Sequence, residues 1–474
     1  LQILPPHELA PGETSPYAAR TAFGLDPIYV AIDEVEDLDE PEIERTLGDS
    51  GRRELERVRW SKTVEYDAVR ALKSKVLGRA AAIFREREIA RGTERAKKFE
   101  TWCSGSASWE DDLATYVSLR KKNDTKGWRD WPEKERNRDT STLEHQMRSD
   151  ADTIFAHRYA QWNAELQWDN ARKRIRDIGV ELMGDLPFVV GTESADVWQR
   201  PNEFEVDASL GAPPDAFTPV GQDWGLPPYR WSEIEKNDFA WLRARVRRAA
   251  TLYDRFRLDH LIGVFRMYVV HGGDAQKGKF EPEMEPEQIA RGKRVLGVMV
   301  EEARKSGIEL IAEDLGVVPD FARAVMRDLD VPGYRVIPWE RDFVNHRYRE
   351  PREFAEASVA SWSTHDTAPI GAMWKSLEQW ERDGLADLCK VSRTANEDDL
   401  WRAQMHLLVC ARSSLALVLG QEIIGDDARI NTPGTVGPQN WTYRFEKTFE
   451  EMDRDPRIAH RMTTLRKLAE ESGR

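Results

Sequence analysis

Short apolar runs closed by turn residues recur along this chain with helical patterns between them, and that alternation limits the fold more than any other feature. The clearest runs are 179–190 (GVELMGDLPFVV), 256–265, 308–312 (IELIA), 334–339, 359–363 and 415–424. Amphipathic stretches fit between them, such as 287–305 ahead of IELIA and 319–329 behind it. A strand followed by a helix and another strand predicts parallel pairing, because the crossover brings the chain back to the same end of the sheet. The expectation is therefore α/β.

Two stretches break the alternation. Residues 48–175 are highly charged, with long helical segments at 68–99 and 141–175, and they read as a helical insertion whose charge runs are solvated faces. Residues 193–231 are rich in Pro, Gly and aromatics, including GAPPD at 211–215 and GQDWG at 221–225. Loops of this length are usually functional or disordered, and the aromatic content argues against disorder, so this one reads as an ordered cover over a site. The domain reading is 1–47 as the start of the main domain, 48–175 as the insertion, and 176–474 as the remainder.

Composition excludes several function classes. Lys and Arg number 70 against 84 Asp and Glu, a net charge of −14 in 474 residues, which repels a phosphate backbone and argues against nucleic acid as the main partner. The three cysteines, Cys103, Cys389 and Cys410, lie far apart without CxxC spacing, which fits a reducing, cytoplasmic setting. With neither a leader peptide nor an apolar run of about 18 residues, no membrane role is expected. No His/Cys/Asp grouping has zinc spacing, so no metal or other cofactor is expected. The chain opens at Leu1, directly inside the apolar stretch Gln2-Ile3-Leu4-Pro5, and so reads as a piece entering within a strand.

Three acids share one context. Asp259 follows Phe256-Arg257-Leu258, Glu313 ends IELIA, and Asp366 follows Ser361-Trp362-Ser363-Thr364-His365. In a (β/α)8 barrel the residues that close each strand converge on one rim, where the chemistry sits. Retaining glycoside chemistry needs an ionised nucleophile and a protonated acid about 5–5.5 Å apart. Arg257, two residues before Asp259, would hold that carboxyl anionic, while Asp314 beside Glu313 would disfavour ionisation there. His260 reads as structural, pointing to the other face of its strand. Tryptophan is abundant, 17 residues, and some can serve as sugar platforms, since a pyranose offers an apolar C–H face to an aromatic plane.

The ordered strings GDLPFVV…SADVW, GAPPDAF, GQDWG, FRLDH, AEDLG, STHD and ARINTPGT…NW resemble the 4-α-glucanotransferases (amylomaltase or disproportionating enzyme, glycoside hydrolase family 77), members of the α-amylase clan of (β/α)8 barrels. The match runs from Gln2-Ile3-Leu4-Pro5 to Asn440-Trp441. The resemblance implies a TIM barrel with helical insertions. It makes Asp259 the nucleophile, Glu313 the general acid/base and Asp366 a binder of sugar hydroxyls that stabilises the transition state. It further implies that Arg257 orients the nucleophile, that His365 and Asp185 bind the sugar at the cleavage point, and that Asp215 and Gln222 bind further hydroxyls. Tyr17, Trp224 and Trp339 would stack on glucose rings. Three departures stand out. Thr367-Ala368-Pro369 follow the THD string where an Asn is usual, Glu193 replaces a common Asp, and the strand and helix that precede QILP in the family are not in this chain. The last predicts an unpaired barrel edge and poor stability.

The implied partners are maltooligosaccharides and starch- or glycogen-derived α-1,4-glucans. Transfer and hydrolysis share the first half-reaction and differ in whether a glucan hydroxyl or water attacks next. The aromatic cover at 211–231 favours transfer by excluding water. A hydrolase of the same clan and a non-catalytic glucan binder are the alternatives, and the presence of all three acids weighs against the second.

Overall fold

The computed structural model describes residues 1–214, 219–342, 344–435 and 437–474. They form two compact units: Leu1–Arg257 with Arg266–Gln288 and Arg294–Glu309, and Leu258–Phe265 with Ile289–Lys293 and Leu310–Arg474. Among the described residues no helix is long and apolar enough to cross a membrane.

The first unit is dominated by helices. The predicted segment 68–99 divides into Tyr66–Arg87 and Glu94–Lys122, because Gly92 turns left-handed (φ 60) and the Thr93 side chain caps the next helix at Ala96 N. The predicted 141–175 likewise splits into Thr140–Ser149 and Ala151–Asp177, with Asp139 capping the first at Thr142 N. These helices meet through buried rings. Phe84 lies 5.4 Å from both Phe99 and Trp162, and each such pair adds about 0.5–1.5 kcal/mol beyond simple burial.

Buried charge sits beside this core. The Glu8 carboxylate meets the Arg20 guanidinium, accepts from Gln161 Nε2 at 2.8 Å and pairs with His157 Nε2 at 3.1 Å; His157 Nδ1 lies 2.9 Å from Glu110 Oε1. Burial alone would raise the Glu8 carboxyl, but Arg20 and His157 hold it down to about 2. Burial opposes a charge on His157, yet Glu110 and Glu8 lift it to about 10, while burial pushes Glu110 up.

Strands of the first unit are β1 (Met183–Leu186), β2 (Ala208–Ala212), β3 (Gln222–Asp223), β4 (Arg255–Leu258), β5 (Met267–His271) and β6 (Lys279–Glu281). Gln2 bridges Met183 in parallel, which places the opening residues along β1. The stretch 193–231 is more regular than its composition predicts. It holds the helix Ala195–Gln199 together with β2 and β3, and β2 lies antiparallel to β5 in a sheet ordered β3-β2-β5-β6. Gly211 makes the tight crossing possible, because a Cβ there would lie 2.0 Å from the Gln222 carbonyl oxygen. The predicted strand 256–265 is also two things: β4 stops at Leu258, and a 3-10 turn over Leu261–Val264 follows.

The second unit carries β7 (Glu309–Ala312, from Leu310 onward), β8 (Gly333–Val336), β9 (Ser358–Ser361) and β10 (Leu415–Leu417). β8, β9 and β10 are parallel, with Val336 opposite Ser361 and Ser361 opposite Leu417. The Ala312 N–H reaches the Pro332 carbonyl, one residue short of β8, at 2.8 Å. β9 is buried throughout, as a parallel strand covered on both faces must be. Trp362, Phe354, Trp401, Met405 and Leu408 pack as its core. The predicted strand 415–424 ends at Leu417; Gly420–Ile424 is a short helix because Glu422 folds back to accept the Leu419 N–H at 3.1 Å.

Candidate active site

In the first unit, β1 and β4 hold one polar group. Asp185, fully buried on β1, accepts Arg257 Nε at 3.0 Å on one oxygen and the Tyr17 hydroxyl at 2.6 Å on the other, and Arg257 Nη2 reaches the same hydroxyl at 3.3 Å. Tyr17, Asp185 and Arg257, far apart in sequence, are thereby one cluster. Charge-assisted bonds of this kind fix geometry as well as charge, so the ring of Tyr17 is held in a set orientation. Gln222 and Trp224 form a second group. The Trp224 indole N–H donates to Gln222 Oε1 at 3.0 Å, and its backbone N–H to Leu210 at 2.9 Å, so the hairpin of β2 and β3 sets the ring. Asp215 lies outside the described residues.

In the second unit the chain around Asp259 is tied to Glu313 at three points. The Glu313 N–H donates to the Leu258 carbonyl at 2.9 Å, the Leu261 N–H to the Glu313 carbonyl at 3.2 Å, and the His260 N–H to Glu313 Oε2 at 2.8 Å. Asp259 therefore sits between two residues bonded to Glu313. His260 adopts a left-handed backbone (φ 47, ψ 54), uncommon for a residue with a side chain. It is not in a strand, so the alternation that predicted its orientation does not apply. Burial pushes its imidazole down to about 4, which leaves it neutral.

Asp314, next along the chain, has partners of its own. It is buried and ringed by donors, with Tyr334 N at 2.6 Å, Arg335 Nη1 at 2.9 Å and Arg323 Nε at 3.2 Å. Two guanidinium groups thus lie against its carboxylate. It anchors β8 to the end of β7.

Beyond β9, His365 Nε2 lies 3.2 Å from Asp366 Oδ2. The other oxygen of Asp366 accepts Asn431 Nδ2 at 2.7 Å, and Arg429 Nη2 donates to the Asp366 carbonyl at 2.8 Å. Trp441 places its ring 5.9 Å from that of His365. Arg429, Asn431 and Trp441 belong to the ARINTPGT…NW string, which marks the segment in the sequence without showing what each residue holds. Glu422 braces the same segment from below, its buried carboxyl accepting from Ser363 Oγ, and burial pushes it up to about 7. Val336 and Ser361 are in register, so Trp339 and the His365–Asp366 pair leave β8 and β9 at the same edge. Trp339 is 44% exposed there.

The support of Asp366 by Asn431 yields an expected outcome. Asn431→Ala lowers kcat roughly tenfold to a hundredfold with the melting temperature little changed, because an unheld carboxylate loses its aim. Equal losses in kcat and stability would reduce Asn431 to a packing role.

Among the described residues no group of three or more His, Cys, Asp or Glu side chains could hold a metal ion.

A family model described as 4-alpha-glucanotransferase (Glyco_hydro_77) matches residues 1–449. The 4-alpha-glucanotransferase of Aquifex aeolicus is 30% identical over 461 residues, spanning 94% of this chain and 88% of the relative. The chloroplastic/amyloplastic 4-alpha-glucanotransferase of Solanum tuberosum is 27% identical over 469 residues, 96% of this chain and 77% of that one. Among solved structures, the amylomaltase from Streptococcus agalactiae, in complex with acarbose, superposes with a TM-score of 0.83 at 22% identity over 100% of this chain and 91% of that chain. The amylomaltase from Corynebacterium glutamicum gives 0.78 at 22% identity, over 99% and 70%. At that identity the structures share an α/β fold with this chain.

Proposed function

Since the chain belongs to the 4-alpha-glucanotransferase family and is an enzyme that transfers segments of α-1,4-glucan, we propose that Asp259, Glu313 and Asp366 carry the transfer. The observation that supports this most is the three-point tie between the backbone around Asp259 and Glu313, one bond of which uses the Glu313 carboxylate itself.

In the first half-reaction an Asp259 oxygen attacks the anomeric carbon of the donor. The bond from that carbon to the glycosidic oxygen breaks, its electron pair stays on the oxygen, and Glu313 delivers the proton that makes a free 4-hydroxyl. The sugar is left joined to Asp259 as a β-ester. In the second, the 4-hydroxyl of an acceptor glucan attacks the same carbon, the ester bond breaks, and Glu313 takes the proton back. Two inversions retain the α configuration, and one α-1,4 bond is exchanged for another. Asp366, aimed by Asn431 and His365, holds sugar hydroxyls that tighten as charge develops at the anomeric carbon. Tyr17, Asp185 and Arg257 form a preset group for the sugar at the cleavage point, with Gln222, Trp224 and Trp339 as further contacts. Asp215, carried over by resemblance alone, belongs with them.

We read the strands as parts of a (β/α)8 barrel, with 48–175 inserted as a helical subdomain. The substrates are maltooligosaccharides and larger α-1,4-glucans. The free cysteines support a cytoplasmic workplace.

Incubation with maltotriose gives glucose plus a ladder of longer maltodextrins, with the total of reducing ends constant. Reducing ends that grow in step with cleavage would make the enzyme a hydrolase. Unchanged maltotriose would leave a binding protein.

A further inference from the structure

Trp380 is a large aromatic that neither the core nor the reaction above uses. It lies one residue into the helix Gln379–Cys389 with 45% of its surface open, yet its position is tightly set. The Arg341 guanidinium lies 5.2 Å from the ring centroid, and the His346 ring lies 4.9 Å away at an angle of 55°. Arg341 is itself fixed, its Nη1 donating to Glu381 Oε1 at 2.9 Å on the same helix and its backbone N–H to the Trp339 carbonyl at 2.9 Å.

The segment that supplies these contacts is a built feature. Arg341 bridges Tyr348 in antiparallel fashion, the Asp342 N–H reaches Arg347 at 2.9 Å, and the Arg349 N–H reaches Glu340 at 2.8 Å. Tyr348 packs so closely on the helix that a Cβ at Gly384 would lie 2.9 Å from its ring. A ribbon that starts at Trp339 and a helix that presents Trp380 are thus locked together, and a single arginine side chain spans from the ribbon to the indole.

Leaving an indole half in water forgoes much of the burial that stabilises such a side chain, while the contacts with a guanidinium and an imidazole limit its freedom. Both are what a preorganised stacking platform requires. We propose that Trp380 is a distal glucan platform, engaged by α-1,4-glucans long enough to run beyond Trp339. Its ring takes the apolar face of a pyranose, and Arg341, Glu381 and His346 around it offer polar groups to the hydroxyls. This rests on the glucan-transfer reading of the site and sets chain-length preference within it.

The test compares Trp380→Ala and Trp380→Phe on maltotriose and on maltoheptaose. Trp380→Ala loses about tenfold in kcat/KM on maltoheptaose, carried by KM, with maltotriose little affected, and Trp380→Phe keeps most of the long-chain rate. Equal losses on both substrates, or none on either, overturn the proposal. So does a wild type that sediments as a dimer while Trp380→Ala sediments as a monomer with its length preference intact, since the ring would then serve a second copy. Calorimetric binding of maltoheptaose in an Asp259→Asn background separates the two readings. Affinity about tenfold weaker without Trp380 supports the platform whether or not the wild type transfers, and unchanged affinity removes it.

Discussion

Glu313→Gln retains less than roughly one part in 10⁴ of the wild-type transfer rate on maltotriose, and Asp259→Asn does no better. Gln matches the volume of Glu and can still accept the His260 N–H, so the backbone stays in place, but an amide cannot give up and recover a proton. Asn cannot form the sugar ester at all. The two failures separate on a donor such as α-glucosyl fluoride, whose leaving group departs without a proton. Glu313→Gln then recovers the first half-reaction and accumulates the ester on Asp259, visible as a mass increase, whereas Asp259→Asn recovers nothing. An Asp259→Asn protein that forms the adduct, or transfers at a wild-type rate, would remove Asp259 as nucleophile. Asp366→Asn, which weakens charge stabilisation without deleting either reacting group, loses a smaller factor, on the order of 10² to 10³ in kcat.

Glu8→Ala destabilises the fold by about 3–5 kcal/mol, because it leaves the buried Arg20 guanidinium without this carboxylate and His157 with Glu110 alone of its two. The pH dependence identifies the cause. His157 is raised in the folded chain to about 10 from an ordinary 6.5, so its contribution is complete below 6.5 and drains away as pH climbs toward 10. Glu8 is lowered to about 2 from 4.5, so its contribution is complete above 4.5 and is lost as pH falls toward 2. The network is at full strength between 4.5 and 6.5. His7 and His260, depressed to about 3 and 4, act in the opposite sense to His157: as pH falls from 6.5 toward those values the unfolded chain takes up protons that the folded chain refuses, and stability is lost. The gap in denaturation midpoint between wild type and Glu8→Ala is larger at pH 6 than at pH 9. A gap that stays constant with pH would mean that the variant acts through lost packing.

Much of this was legible in the residues. The acids at 259, 313 and 366 follow apolar runs that are strands, since burial on both faces writes parallel strands as unbroken hydrophobic stretches. Strand ends were less legible. The runs 256–265 and 415–424 look continuous because the 3-10 turn after Leu258 and the short helix after Leu417 are as apolar as the strands, and periodicity cannot separate them. The antiparallel pairing of 208–212 with 267–271 was hidden because its partners lie far apart and one was masked by a Gly- and Pro-rich composition. At the site, the clustering of Tyr17, Asp185 and Arg257 depends on long-range packing that no spacing encodes. The hold of Asn431 on Asp366 lies in a motif the sequence displayed but did not explain. The adjacency of Asp314 to Glu313 in sequence likewise does not show that the fold sets two arginines against the Asp314 carboxylate.

The Glu313 carboxylate is held at both oxygens by the main chain, the His260 N–H reaching Oε2 at 2.8 Å and the Leu315 N–H reaching Oε1 at 3.3 Å. Two such anchors fix the plane of the group and leave the longer bond, at Oε1, the easier to loosen. On the roles proposed for this site, leaving chain and incoming chain therefore meet one carboxyl plane, and a glucan must bring its oxygen to that plane to be either released or accepted.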